Sequence, residues 1–84
     1  MLERNYPNPF NPSTKMSFVI GHSSFASLRV FDILGREIAT LVNEELRAGE
    51  YQVDFDATGL SSGVYFYRLT AGKFSETKKL VVAR

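Results

Sequence analysis

Apolar residues recur at every second position through most of this chain, a period that suits extended strands and excludes amphipathic helices. Met16, Phe18 and Ile20 alternate with Lys15, Ser17 and Val19, and Ala26, Leu28 and Val30 alternate with Ser27, Arg29 and Phe31. Tyr51, Val53 and Phe55 alternate with Gln52, Asp54 and Asp56. Each run predicts a half-buried strand, because successive side chains on an extended backbone point to opposite sides. Val64 to Leu69 is denser in aromatic and branched residues, which predicts a central strand covered on both faces. Turn signals fall between the runs at intervals of about ten residues, the rhythm of an antiparallel sandwich. They are Gly21-His22-Ser23-Ser24, Asp32 to Gly35, Ala48-Gly49, Thr58 to Gly63 and Ala71-Gly72-Lys73.

Two of these turns have a readable chemistry. Asp32-Ile33-Leu34-Gly35 places a side-chain acceptor at the first turn position and a glycine where a left-handed residue is needed. Ala71-Gly72-Lys73 separates Arg68-Leu69-Thr70 from Phe74-Ser75-Glu76 and predicts a tight hairpin joining the last two strands. Asn43 to Leu46 offers a helix cap at Asn43, but four residues do not hold a helix without tertiary support, so the stretch reads as loop.

The chain has 84 residues, 44% of them hydrophobic and 13% aromatic, enough for one continuous core and too apolar for disorder. A domain of this size buries only about 60% of the surface its unfolded chain exposes, so its stability should be roughly 5 kcal/mol. Ten Lys and Arg against nine Asp and Glu give a net charge of +1. That balance supplies no field to draw the domain onto nucleic acid or an anionic membrane. The absence of cysteine removes disulfides, thiolate metal sites and cysteine nucleophiles, and leaves the compartment open. No apolar run approaches the ~18 residues of a membrane span, which predicts a soluble domain without membrane insertion.

Met1-Leu2-Glu3-Arg4 lacks the charged and apolar regions of a secretory signal. An exported protein would carry that signal on a longer precursor. Residues 1–4 are therefore read as an expression or linker remnant, and residues 5–84 as one domain. In Tyr6-Pro7-Asn8-Pro9-Phe10-Asn11-Pro12-Ser13, each proline fixes its own φ and pushes the preceding residue toward extended geometry. Phe10 reads as an anchor into the sandwich end, with Asn8 and Asn11 closing local turns. A well-ordered first loop and a ligand-binding loop both fit. Asn11-Pro12-Ser13 is no glycosylation acceptor, because proline occupies its middle position.

No catalytic constellation stands out in the sequence. His22 is the sole histidine and sits in a turn. Ser23 and Ser24 lie too close to it for a nucleophile and base, and no strand-turn-helix elbow is present. Asp54 and Asp56 share a strand face and Asp32 begins a turn, a weak signal for a carboxylate pair or an oxygen-ligand metal site. No phosphate-cradling glycine loop follows a strand. The sequence predicts no enzyme, no cofactor and no metal.

The C-terminal segment is different. Lys73, Lys78, Lys79 and Arg84 against Glu76 leave residues 73–84 at a net +3. Lysines on a final strand protect an edge from aggregation, and they also offer a partner charge beside an open backbone. Physics alone leaves both readings standing.

Residues 5 to 14, Asn5-Tyr6-Pro7-Asn8-Pro9-Phe10-Asn11-Pro12-Ser13-Thr14, resemble the opening of the type A C-terminal sorting domain of the type IX (Por) secretion system. Val30 to Ile38, with Asp32 and Gly35-Arg36, is similar to that family's second motif, with Phe31 where tyrosine is usual. Gly49-Glu50-Tyr51 and Leu60 to Leu69 are similar to the third, and Lys78-Lys79-Leu80-Val81-Val82 to the terminal one. Arg84 stands where lysine is common. The likeness covers residues 5 to 84 in order.

The resemblance implies an all-β, immunoglobulin-like antiparallel sandwich of about seven strands, related in fold to the Ig-like domain of flagellar hook-cap proteins. It implies a non-catalytic signal that directs an upstream cargo through the outer-membrane translocon and is usually removed by a surface sortase. The cargo passes the periplasm and ends at the cell surface or in the medium. Translocon, shuttle and sortase components are the implied partners. Carried onto this chain, the recognition residues are Lys78, Lys79, Leu80, Val81, Val82 and Arg84. Pro7, Asn8, Pro9, Phe10, Asn11, Pro12, Asp32, Gly35, Gly63 and Tyr65 are structural, with Gly63 opening its strand and Tyr65 bonding back into the Thr58 to Ser62 loop. Two rivals remain: an adhesive or carbohydrate-binding module using Tyr6, Phe25 or Tyr67, and a subunit that self-associates weakly through an open edge.

Overall fold

A computed structural model describes residues 1–4 and 13–83. Six strands run in order: β1 (Ser13–Ile20), β2 (Ser24–Phe31), β3 (Glu37–Leu46), β4 (Gly49–Asp56), β5 (Gly63–Ala71) and β6 (Phe74–Val82). They form two antiparallel sheets packed as a sandwich, β1-β4 and β3-β2-β5-β6. The expected architecture is met, with six strands against about seven. The opening residues supply a rudimentary further strand: Leu2 bridges to Phe18, Met1 and Val19 exchange backbone hydrogen bonds, and the Glu3 amide donates to Ser17.

The alternating residues account for the core. Met16, Phe18 and Ile20 on β1 face Ala26, Leu28 and Val30 on β2, Tyr65, Tyr67 and Leu69 on β5, and Leu80 and Val82 on β6, all buried. Fully burying a large apolar side chain contributes about 1.5–3 kcal/mol. Phe18 stacks on Tyr51 with ring centroids 5.4 Å apart. Leu2, only 2% exposed, belongs to this core. The Tyr67 hydroxyl donates to the Glu3 carbonyl at 2.8 Å, and the Leu2 amide donates to Glu76 Oε1 at 3.1 Å. Residues 1–3 therefore lace the two sheets together along one side of the sandwich.

Three expectations need correction. Asn43 to Leu46 is strand, paired with Ser27 to Ser24 of β2. Its pattern is obscured by a bulge: Leu28 pairs with Val42 and Arg29 with Thr40, leaving Leu41 as the extra residue. The inserted residue switches the apolar phase, so Ala39, Leu41 and Val42 are all drawn toward the core. The β5 strand is central in its sheet but buried on one face only. Tyr65, Tyr67 and Leu69 point inward, while Phe66 is half-buried and Arg68 exposed, because no second layer of named strands covers the outer face. Tyr67 has no exposed surface and so offers a glycan no stacking platform.

The two readable turns form as their chemistry dictates. Gly72 has φ of 59° at the first position of a two-residue loop between the paired Ala71 and Phe74, the pattern of a type II′ hairpin. At the other end of the sheet Gly35 adopts φ of 84°, and its amide donates to the Asp32 carbonyl at 3.0 Å.

Candidate functional site

The terminal strand is built on a period of two, and that period divides its residues. Leu80 and Val82 point into the core, with 0% and 2% exposure. Lys78 lies on the same face at the sandwich margin, its Nζ 3.4 Å from Glu76 Oε2. The Glu76 carboxyl is held below its ordinary value of 4.5, first by the Leu2 amide and then by Lys78, against partial desolvation. Lys79 projects from the opposite face, exposed and in register with Phe66. Val81 is half-buried on that same face and pairs with Val64. The two lysines adjacent in sequence thus belong to different surfaces. Arg84 lies outside the described residues, as do Pro7, Asn8, Pro9, Phe10, Asn11 and Pro12.

Asp32 governs the turn between β2 and β3. One carboxylate oxygen accepts from the amides of Leu34 and Arg36, each at 2.9 Å, and the other pairs with Arg36 Nε at 2.8 Å. The Arg36 amide is the chief reason the Asp32 carboxyl lies below its usual 3.8; partial desolvation opposes it. The turn displays Ile33 and Leu34, 71% and 74% exposed. Tyr65 donates its hydroxyl to the Ser61 carbonyl at 2.8 Å, within the Thr58 to Ser62 loop. Gly63 opens β5 at φ of 153°, paired with Val82.

The residues weighed for chemistry do not converge. Asp54 pairs with Lys15 at 3.1 Å on an exposed face. Asp56 accepts from the hydroxyl and amide of Thr58, which lower its carboxyl below 3.8. His22 contributes its carbonyl to the Ser24 hydroxyl at 2.7 Å, and nothing joins it to a carboxylate among the described residues. Among the described residues no three His, Cys, Asp or Glu side chains are placed to hold a metal.

Periodicity by itself does not single out the outer face of the four-stranded sheet. Arg29 of β2 stands directly opposite Arg68 of β5, and the next row pairs Phe31, Phe66 and Lys79. The Arg68 guanidinium lies 5.0 Å above the Phe31 ring. Arg29 Nε approaches Glu37 Oε1 at 3.5 Å without hydrogen-bond geometry. The signal for this face is the polar half of the alternation, where Arg and Phe interrupt the small polar residues.

A family model, the secretion system C-terminal sorting domain, matches residues 4–83. This chain belongs to that family. A search of curated proteins finds no match. Membership in the family makes the domain a C-terminal sorting signal of type IX secretion, one that works with the secretion machinery and marks the protein bearing it for the cell surface or the extracellular space.

Proposed function

We propose that this sorting domain conducts an upstream cargo from the periplasm through the outer-membrane translocon, and that a surface sortase then removes it. The domain is a passenger and a substrate, with no reaction of its own. Shuttle or translocon components read the terminal strand, through the residues Lys78, Lys79, Leu80, Val81, Val82 and Arg84. The observation that supports the tail as the reading point is the place of β6 at the end of the four-stranded sheet, where it pairs with β5 alone among the named strands. A strand so placed suits recognition by backbone pairing with charge alongside. Leu80 and Val82 fix the register of the strand from the core, while the lysines contribute charge on either side of it.

Fusion of a fluorescent reporter to the domain, behind a periplasmic signal, tests this in a host with an intact type IX system. Charge reversal, Lys78→Glu with Lys79→Glu, should cut delivery of the reporter outside the cell by tenfold or more while the purified domain still melts cooperatively. Full delivery by the reversed variant would contradict the reading. Truncation after Thr77 is the poorer test, because it also strips Leu80 and Val82 from the core.

A further inference from the structure

Two arginines face each other across the centre of the four-stranded sheet, on the face that no described strand covers, Arg29 against Arg68. Like charges directly opposite on paired strands destabilise a sheet. The fold compensates only in part. Arg68 lies over Phe31 and its Nε donates to Thr77 Oγ1 at 3.1 Å. Arg29 has Glu37 nearby, but its Nε completes no hydrogen bond. Lys79, in register with Phe66, takes part in none of the ion pairs among the described residues. Three cations on this face therefore stand against two carboxylates, and only Glu37 lies by the Phe31–Phe66 row; Glu45 sits opposite Phe25 farther along β2, so the positive excess is concentrated around Arg29, Arg68 and Lys79. The Asp32–Arg36 pair at the turn neutralises itself. Phe31, Phe66, Arg68 and Thr77 border a shallow groove of about 230 Å³.

From this arrangement, and resting on the sorting reading above, we propose that the outer face of β3-β2-β5-β6 is the surface on which an acidic polypeptide segment of the secretion machinery docks. The rows of the face alternate in kind: Val64 with Val81, then Phe31 with Phe66 and Lys79, then Arg29 with Arg68 and Thr77. Successive rows lie two residues apart along the strands, roughly 7 Å, which is the spacing of same-face side chains on any other extended chain. An extended partner carrying Asp or Glu beside apolar residues meets carboxylate with guanidinium and apolar side chain with phenyl ring. Arginine is suited to the first contact because its planar fork takes a carboxylate by two parallel hydrogen bonds. A second copy of this chain is a poor occupant, since the same cations would meet. Lys79 joins this surface to the terminal strand, whereas Lys78 does not.

The reporter fusion tests the face with Arg29→Gln and Arg68→Gln combined, and with Lys79→Gln alone. Arg29→Lys with Arg68→Lys serves as the charge-keeping variant, and Lys15→Gln and Lys73→Gln as changes away from the face. Delivery should fall at least tenfold for the arginine pair and severalfold for Lys79→Gln, with thermal midpoints within a few degrees of the parent. The lysine-for-arginine variant should retain a large part of delivery, and Lys15→Gln and Lys73→Gln all of it. Parental delivery by the two neutralised variants, with the parent still dependent on the translocon, would overturn the docking face and leave the sorting reading intact. A parent delivered equally well without the translocon would remove both. Co-sedimentation of the purified domain with lipopolysaccharide, lost in the arginine variant while delivery is unchanged, would assign the face to anionic lipid and overturn the proposal.

Discussion

The two faces of the four-stranded sheet are made by the same strands and differ in almost everything else. Inward, Leu28, Val30, Tyr67, Leu69, Leu80 and Val82 are 2% exposed or less. Outward, one residue away in each case, Arg29, Phe31, Phe66 and Val81 are half-buried, and Arg68 and Lys79 are exposed. One face draws its free energy from removing apolar surface from water. The other holds cations and rings that water still reaches. Parity along a strand therefore divides neighbours by environment: Leu80 is buried in the core, while Lys79 beside it stands in solvent.

The largest effect expected from breaking that division is on the inner side. Leu80→Ala leaves a cavity beneath the edge strand and should cost about 2–5 kcal/mol, comparable to the whole stability of a domain this small, roughly 5 kcal/mol. Urea unfolding of the purified domain checks it, and an unchanged midpoint would place Leu80 outside the core. Tyr67→Phe is a finer cut. It keeps the ring and removes the hydrogen bond to the exposed Glu3 carbonyl, for a loss of about 0.5–1.5 kcal/mol, with increased hydrogen exchange at the Leu2 and Glu3 amides.

Acid acts outside the core, because the carboxylates with lowered pKa among the described residues lie at turns and margins. The carboxyls of Asp32, Asp56 and Glu76 are all held below their ordinary values in the folded state. A carboxyl with a lowered folded pKa binds protons more readily once unfolded, so its contribution is full above the ordinary value and is lost as pH falls through the folded one. Stability should therefore decline below pH values near 4. Asp32→Asn should flatten the acid limb of a pH titration of thermal midpoint; a limb as steep as the parent's would remove Asp32 from the account. On the outer face Arg68→Gln loses a cation over a ring and should cost only about 0.5–1 kcal/mol. Lys15→Gln, which breaks an exposed ion pair with Asp54, should change stability by about 0–0.5 kcal/mol, below the resolution of most melts.

Much of the inner face is legible in the amino-acid sequence, since a half-buried strand writes its burial into every second residue. The β1, β2 and β4 strands and the Asp32 and Gly72 turns follow from residues adjacent in sequence. The β3 strand does not, because the bulge at Leu41 changes its phase and Asn43-Glu44-Glu45 carries no apolar beat. The role of Leu2 is equally hidden: a single residue has no period, and its burial depends on Phe18, Glu76 and Tyr67, far away along the chain. The dense run in β5 suggests cover on both sides, yet hydrophobicity does not reveal whether a second layer exists. For the candidate site, the charge of the tail is readable, but the parting of Lys78 from Lys79 needs the register of β6, and the Arg29–Arg68 juxtaposition needs the pairing of β2 with β5.

The most direct measurement places the unaltered domain behind a fluorescent reporter carrying a periplasmic signal, in one host with the type IX system intact and in one lacking its translocon. Reporter should reach the cell surface or the medium of the first host and stay in the periplasm of the second. Equal retention in both, with the domain folded, would contradict the sorting role.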